Sequence, residues 1–320
     1  MAHITFNPEL LSTLKDKVVV LTGGATGIGR EAVKQFHQAG AKVVFGDVAD
    51  FLGQELETSL SSPNIRFQHC DTTSYQDQLS LFKLAHTLFS RIDIVVANAG
   101  ISIPQDPFAA DTDVNLEPST KEIDVNLKGA LFTARIGNHY LRKNGKEGGD
   151  LVLVSSIAGF TESTGLAVYT ASKHGVLGIL RGLRVQASRE GVRVNAICPW
   201  MTKTGMVAGI ESGWRALGLP ENKPEDVARS ILICATANRS RAKYDKQSLT
   251  AIPKVSHQGA NLPFWGKILL VAGGESYEIE DKFKELEPEL IGKENSRVFA
   301  KGQEFLMNGE TSWDTSKSKM

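Results

Sequence analysis

The chain has 320 residues, with 36 basic and 36 acidic side chains and therefore no formal net charge. A composition that is 41% hydrophobic and 22% charged can build a sizeable core, and at roughly 100–200 residues per domain the length allows one large domain or two small ones. Balanced charge removes the electrostatic case for nucleic acid or an anionic membrane surface, no apolar run reaches the ~18 residues of a membrane span, and the opening MAHITFNPELL lacks a secretory pattern, so a cytoplasmic protein is expected.

Short β-branched runs alternate with helix-length amphipathic segments along the chain. Strands are predicted at 17–21 (KVVVL), 41–45, 65–68, 92–97, 151–154, 192–196 and 267–271. They are apolar on both faces, as parallel strands covered by helices must be. Helices are predicted between them at 27–39, 51–61, 74–90, 119–144, 168–190 and 224–237. Repeated strand–helix units require a parallel sheet with right-handed crossovers. The expectation is an α/β, doubly wound, single-domain fold over residues 1–274 with about seven parallel strands. A polar surface insertion is expected at 238–265, because connections of that length are rare between packed elements. A tail follows at 275–320, with a helix near 279–290 and a polar, disordered end. Cys70, Cys198 and Cys234 form no CxxC pair and the histidines no HExxH, so no metal site is expected and the thiols are read as core residues.

The chemistry-bearing residues fall at strand ends. Thr22-Gly23-Gly24-Ala25-Thr26-Gly27-Ile28-Gly29 follows the first strand and opens a helix. Glycines there allow a sharp turn and close approach of a pyrophosphate to free helix N–H groups. Asp47 ends the second strand, where a carboxylate accepts hydrogen bonds from adenosine ribose hydroxyls and repels a 2′-phosphate. NAD is therefore expected as cofactor in preference to NADP. Asn98-Ala99-Gly100 follows the fourth strand and Ser155-Ser156 the fifth, while Tyr169 and Lys173 are i and i+4 on one helix. An ammonium beside a phenol favours the phenolate, and a tyrosine so tuned can exchange a proton with an alcohol or carbonyl.

This constellation closely resembles the short-chain dehydrogenase/reductases, in particular their subclass of roughly 250-residue members. The matching pieces are TGGATGIG (22–29), Asp71, NAG (98–100), Asn126 in DVNLKG, SSIAG (155–159), YTASK (169–173) and CPWMTKTGM (198–206), in the family's order over about 15–237 plus strand seven. The resemblance implies a Rossmann fold and a catalytic set of Asn126, Ser156, Tyr169 and Lys173. Tyr169 would be the general acid/base. Lys173 would lower its pKa and bind the nicotinamide ribose, Ser156 would hold the substrate oxygen, and Asn126 a relay water. Thr22, Gly23, Gly27, Ile28, Gly29 and Gly100 would frame the dinucleotide. Asp71 would meet the adenine amine, Thr204 the carboxamide, and Asn98 would contact adenosine or brace the central strand. Ser155 is read as a strand-end residue, and Lys128 and His174 as solvent-facing.

The chain departs from the family pattern where Trp200 follows Pro199 in place of glycine; the indole either walls the substrate pocket or packs outside it. Residues 204–219 are expected to form a mobile lid, apolar through Met206, Val207, Ile210, Trp214 and Leu217. The expected activity is thus an NAD-dependent interconversion of a secondary alcohol and a ketone on a small, bulky hydrophobic substrate. Loose similarity extends to fungal secondary-metabolite and 15-hydroxyprostaglandin-dehydrogenase-like members. The rival readings are an NADPH-dependent biosynthetic ketoreductase and a catalytically silent nucleotide-binding scaffold. A homodimer or homotetramer is implied, and Ser318-Lys319-Met320 is close to a peroxisomal address.

Overall fold

In the computed structural model, which describes residues 2–103, 105–236 and 264–307, one sheet runs through the molecule. Its strands are β1 (Ala2–Ile4), β2 (Val18–Thr22), β3 (Lys42–Asp47), β4 (Ile65–His69), β5 (Ile94–Ala97), β6 (Gly149–Val154), β7 (Val192–Pro199), β8 (Ile268–Ala272) and β9 (Glu275–Glu278). The order across the sheet is β1-β9-β8-β7-β6-β5-β2-β3-β4. The strands from β8 to β4 are mutually parallel and overlap all seven runs anticipated from the sequence. The sheet nevertheless has nine strands where seven were expected. A tight hairpin through Gly273 and Gly274 turns β9 back antiparallel onto β8, and β1 pairs antiparallel with β9, Ile4 opposite Ser276. The expected boundary between domain and tail at 274/275 therefore falls in the turn of this hairpin.

The parallel strands are buried on both faces, and each face has its own helices. On one side Val19, Leu21, Val43, Phe45, Ile94 and Val96 meet Ala32, Val33 and Phe36 of α1 (Gly27–Gln38), Leu56 of α2 (Asp50–Leu60) and Val227 and Ile231 of α7 (Pro224–Thr236). On the other, Val18, Val20, Val44, Val95, Leu151 and Leu153 meet Leu81 and Phe82 of α3 (Tyr75–Phe89), Ala130 and Ala134 of α4 (Gly129–Leu141), and Val176, Leu177 and Leu180 of α5 (Ala167–Arg189). The two-residue strand period sends alternate side chains to the two cores. Each fully buried aliphatic or aromatic side chain contributes roughly 1.5–3 kcal/mol.

β2 leads to β3 and β4 on one side, and the chain then returns to β5 on the other, so the topological switch point lies between β2 and β5. In open α/β sheets the crevice outside the strand carboxyl ends at such a point is where ligands bind. The segment read as one helix over 119–144 is divided into a π-helical turn at Ile123–Lys128, α4, and a 3₁₀ stretch at Arg142–Glu147. Beyond β9 come α8 (Glu280–Ile291) and α9 (Lys293–Met307), so the tail carries two helices where one was expected. Most of the 238–265 insertion and the end of the tail, with Ser318-Lys319-Met320, lie outside the described residues.

Candidate active site

The glycine-rich turn after β2 is built by close backbone approach. Gly23 has φ +70° and Gly27 φ +51°, left-handed conformations that favour glycine. A Cβ on Gly29 would lie 1.9 Å from the Gly23 carbonyl oxygen. The turn is tied to its neighbours on both sides. Gly23 N–H donates to the Gly46 carbonyl at 2.7 Å. Asn98 Nδ2 donates to the carbonyls of Thr22 (3.2 Å) and Gly23 (2.8 Å), and Ala99 N–H to Thr22 Oγ1 at 3.4 Å. Of the two expectations for Asn98, bracing is what the side chain does here: it links the ends of β5 and β2 across the switch point. Thr204 reaches the same place, its Cγ2 lying 3.2 Å from where a Gly27 Cβ would be. The first-turn N–H groups of α1, Ile28 among them, have no acceptors inside the helix.

Asp47 closes one side of the turn. Its Oδ2 accepts from Ala25 N–H at 2.9 Å and its Oδ1 from Ala49 N–H at 3.0 Å, so the carboxylate is fixed between the turn and the end of β3. Arg30, the nearby cation on α1, is held by Glu55 at 2.8 Å. Asp71 lies apart, beyond β4 near the sheet edge, and its Oδ1 accepts from the Thr73 N–H and hydroxyl at 2.9 and 2.8 Å.

The second group gathers at the carboxyl ends of β5, β6 and β7. Lys173 is buried on α5, and its Nζ donates to the Val154 carbonyl at 3.2 Å while standing 5.6 Å from the Tyr169 ring centre. Ser156 caps the short 3₁₀ turn Ile157–Gly159, accepting from Ala158 N–H at 3.2 Å, and its side chain acts on Tyr169. Ser155 instead donates to the Lys173 carbonyl at 2.8 Å, fastening α5 to β6. Asn126 is buried in the π-helical turn; its Oδ1 accepts from Ile101 N–H at 2.8 Å, and its Nδ2 donates to the Ile101 carbonyl at 2.9 Å and Ser172 Oγ at 3.0 Å. A Cβ on Gly100 would lie 3.2 Å from both Asn126 Oδ1 and Lys173 Nζ. Asn126, Ser156, Tyr169 and Lys173 are thus brought together, with Gly100 as the floor between two of them.

The electrostatics modify one expectation. Burial pushes the Tyr169 phenol above its ordinary pKa, the Ser156 hydrogen bond opposes this, and Glu122 and Cys198 add to it. The anticipated lowering by Lys173 is not among the effects on the phenol, and the Lys173 ammonium bonds the Val154 carbonyl. Burial brings Lys173 itself down to about 8. Cys198 lies behind the site, its thiol pushed up to about 12 by burial.

Two participants were not singled out from the sequence. Ser172 joins Asn126 to the Tyr169 carbonyl, which its Oγ reaches at 2.6 Å. Glu122, just before the π-helical turn, is buried and accepts from Ile103 N–H at 2.7 Å. A serine beside Lys173 within YTASK was the available signal for the first. A glutamate in a helical run gave none for the second.

The lid has a fixed base and an apolar surface. Thr202 bridges to Asn222, and Lys203 N–H donates to the Asn222 carbonyl at 2.9 Å. Trp200 packs edge-on against Trp214 of the short helix α6 (Glu211–Ala216), ring centres 5.5 Å apart. Met206, Ile210, Leu217 and Leu219 remain exposed. Lys128 pairs with Asp124 on the surface and His174 is exposed. Among the described residues no cluster of His, Cys, Asp and Glu could hold a metal ion, and no helix is long and apolar enough to cross a membrane.

Residues 17–214 match the family model described as short chain dehydrogenase. The chain belongs to the short-chain dehydrogenase/reductase family. It is 40% identical over 237 residues to the short-chain dehydrogenase/reductase ascJ of Acremonium egyptiacum, covering 72% of this chain and 77% of that protein. It is 31% identical over 310 residues to prx4 of Penicillium rubens (95% and 88% covered). Identity to the 5′-hydroxyaverantin dehydrogenase of Dothistroma septosporum is 32% over 250 residues (70% and 82% covered). The crystal structure of gox2181 superposes with a TM-score of 0.64 at 24% identity, over 80% of this chain and all of that one, a likeness of fold. As a short-chain dehydrogenase/reductase the chain is an NAD(P)-dependent oxidoreductase.

Proposed function

We propose that this enzyme interconverts a secondary alcohol and a ketone on a bulky hydrophobic substrate, with NAD in preference to NADP. The observation that carries the reading is the convergence of Ser156, Tyr169 and Lys173 beside a glycine cradle whose close approaches leave no room for a Cβ. That cradle suits a pyrophosphate: Thr22, Gly23, Gly27, Ile28 and Gly29 would hold it, Asp47 and Asp71 the adenosine end, and Thr204, Tyr169 and Lys173 the nicotinamide end. When bound, the dinucleotide supplies the hydride acceptor or donor.

In the oxidation direction Tyr169, as phenolate, takes the substrate hydroxyl proton while Ser156 Oγ–H donates to the same oxygen. In reduction Tyr169 returns the proton. Lys173, largely an ammonium at neutral pH, would bind the ribose, and its charge near the Tyr169 ring works against the burial that raises the phenol. Asn126 has its side chain committed to Ile101 and Ser172, so a relay water would rest on a backbone carbonyl that the π-helical turn leaves out of the α-helical ladder. A 2′-phosphate would meet the Asp47 carboxylate with Arg30 already engaged by Glu55, which favours NAD. The exposed apolar lid favours a hydrophobic substrate, and the relative named as a 5′-hydroxyaverantin dehydrogenase accords with one. An apolar groove among α3, α4 and α5, with Leu79, Leu131, Ile179 and Leu183, supports a homodimer or homotetramer.

Titration with NADH and NADPH, followed by tryptophan quenching, tests the assignment together with turnover of hydrophobic secondary alcohols. NADH is expected to bind at least tenfold more tightly. Tyr169→Phe is expected to keep NADH affinity within about twofold while turnover falls by roughly 10²–10⁴. NADPH binding equal to NADH overturns the cofactor assignment, and retained turnover in Tyr169→Phe overturns the role of Tyr169.

A further inference from the structure

Lys173 poses a problem of charge. It is 4% exposed, yet its one hydrogen-bond acceptor among the described residues is the neutral Val154 carbonyl. A buried ammonium is costly unless a counter-charge lies within reach. The groups that act on it come from several elements: Tyr169 on its own helix and Asn126 of the π-helical turn, which meets it across Gly100, and, through their charge alone, the Cys198 thiol of β7 and Glu122 just ahead of that turn. Tyr169 and Asn126 are neutral, and the thiol, pushed up to about 12, is neutral in the physiological range. That leaves the Glu122 carboxylate.

Glu122 is itself 4% exposed and makes one hydrogen bond, to Ile103 N–H, which leaves Oε2 without one among the described residues. Asn126, one helical turn further on, holds both the N–H and the carbonyl of Ile101. Two side chains at i and i+4 therefore grip alternate residues of the segment that follows Gly100, the glycine packed between Asn126 and the Lys173 ammonium.

We propose that Glu122 is a positioning residue of this site: it holds Ile103 in the segment that follows Gly100 and supplies the buried counter-charge that keeps Lys173 an ammonium without bonding it. The ammonium thus stays available to a second partner. The kinetic consequence rests on the reading of Tyr169 and Lys173 given above; the electrostatic one does not.

The test uses the full chain carrying ¹³C at lysine Cε, with the Lys173 signal identified by its loss in Lys173→Arg. Glu122→Gln keeps an acceptor for Ile103 N–H and removes only the charge. Its Lys173 midpoint is expected to fall below the wild-type value by about half a pH unit or more, with the thermal midpoint little changed. An unmoved Lys173 midpoint overturns the proposal. Should the glutamine variant fail to fold, ¹³Cδ-glutamate labelling of the wild-type protein carries the same question. One glutamate is expected to show an inflection at the Lys173 midpoint that disappears in Lys173→Arg, and its absence overturns the proposal. These titrations need neither dinucleotide nor substrate. A moved midpoint in an enzyme with no turnover supports Glu122 and defeats the proposed activity; turnover with an unmoved midpoint does the reverse.

Discussion

Gly29 stands where a methyl group has no space, since a Cβ would overlap the Gly23 carbonyl oxygen at 1.9 Å and approach Asn98 Nδ2 at 2.6 Å. The obstacle is backbone on one side and a doubly bonded amide on the other, so the neighbours cannot yield cheaply. Gly29→Ala must move the turn that Asn98 ties to β5, at a cost of about 1–3 kcal/mol for overpacking. The expected outcome is a lower thermal midpoint together with at least a tenfold loss of NADH affinity. Calorimetry and fluorescence titration of the same preparation check both, and unchanged NADH affinity would remove the turn from the dinucleotide site. Asn98 shows why residue roles were only partly legible. Its place after a strand was plain in NAG, but the choice between ligand and brace depended on how closely β2 and β5 approach, which only the sheet order determines.

At the scale of elements, the junction of β9 with α8 concentrates charge beneath α5. Glu280 is buried and accepts from Arg181 Nη2 at 2.8 Å and Arg184 Nη1 at 2.9 Å, and Lys267 pairs with Asp281. Glu278, also buried, accepts the N–H groups of Glu280 (2.9 Å) and Asp281 (3.2 Å) that open the helix. Burial, with Asp281 adding repulsion, pushes its carboxyl up to about 7. A carboxyl held above its unfolded value contributes stability that is complete below that value, near 4.5, and lost as pH rises through about 7. The loss is on the order of 3 kcal/mol. Glu278→Gln keeps the acceptor and removes the ionisation. It is therefore expected to melt a few degrees above wild type at pH 8 and level with it at pH 4.5, a difference that scanning calorimetry at the two pH values resolves. A gain of equal size at both would point to packing. None of this was legible beforehand, because ESYE and AHI are too short and too polar to stand out as strands, and the tail's acidic and basic residues read as a solvated surface.

For the whole molecule, the site exists because distant segments end at one sheet edge. Thr22 and Asp47 end parallel strands and Asn98, Ser156 and Trp200 follow the carboxyl ends of others, and that arrangement was legible from seven apolar runs and the motifs placed after them. Less legible was what surrounds it, including the buried Glu122, whose partner is the Ile103 N–H, far from it in the sequence. The two ends of the chain raise the same issue, for β9 lies between β8 and β1 and delivers Glu280 to α5. Ending the chain at Gly274 would remove the partner of both strands and leave Arg181 and Arg184 without their buried acceptor; breaking a buried pair in this way costs about 3–5 kcal/mol when both charges are desolvated, and less here because Arg181 is half-exposed. Ending it at Gly292 would remove α9, which meets the body chiefly through α8 and carries an exposed apolar stripe of Val298, Phe299, Phe305 and Leu306. The shorter truncation is therefore expected to yield soluble protein with a thermal midpoint within about 2 °C of wild type, and the longer one to be insoluble or to melt far lower. Expression of both, with thermal melts of whatever remains soluble, decides whether the fold closes at the hairpin or before it; a stable chain ending at Gly274 would show that β9 is an attachment to the sheet and no part of what holds it together.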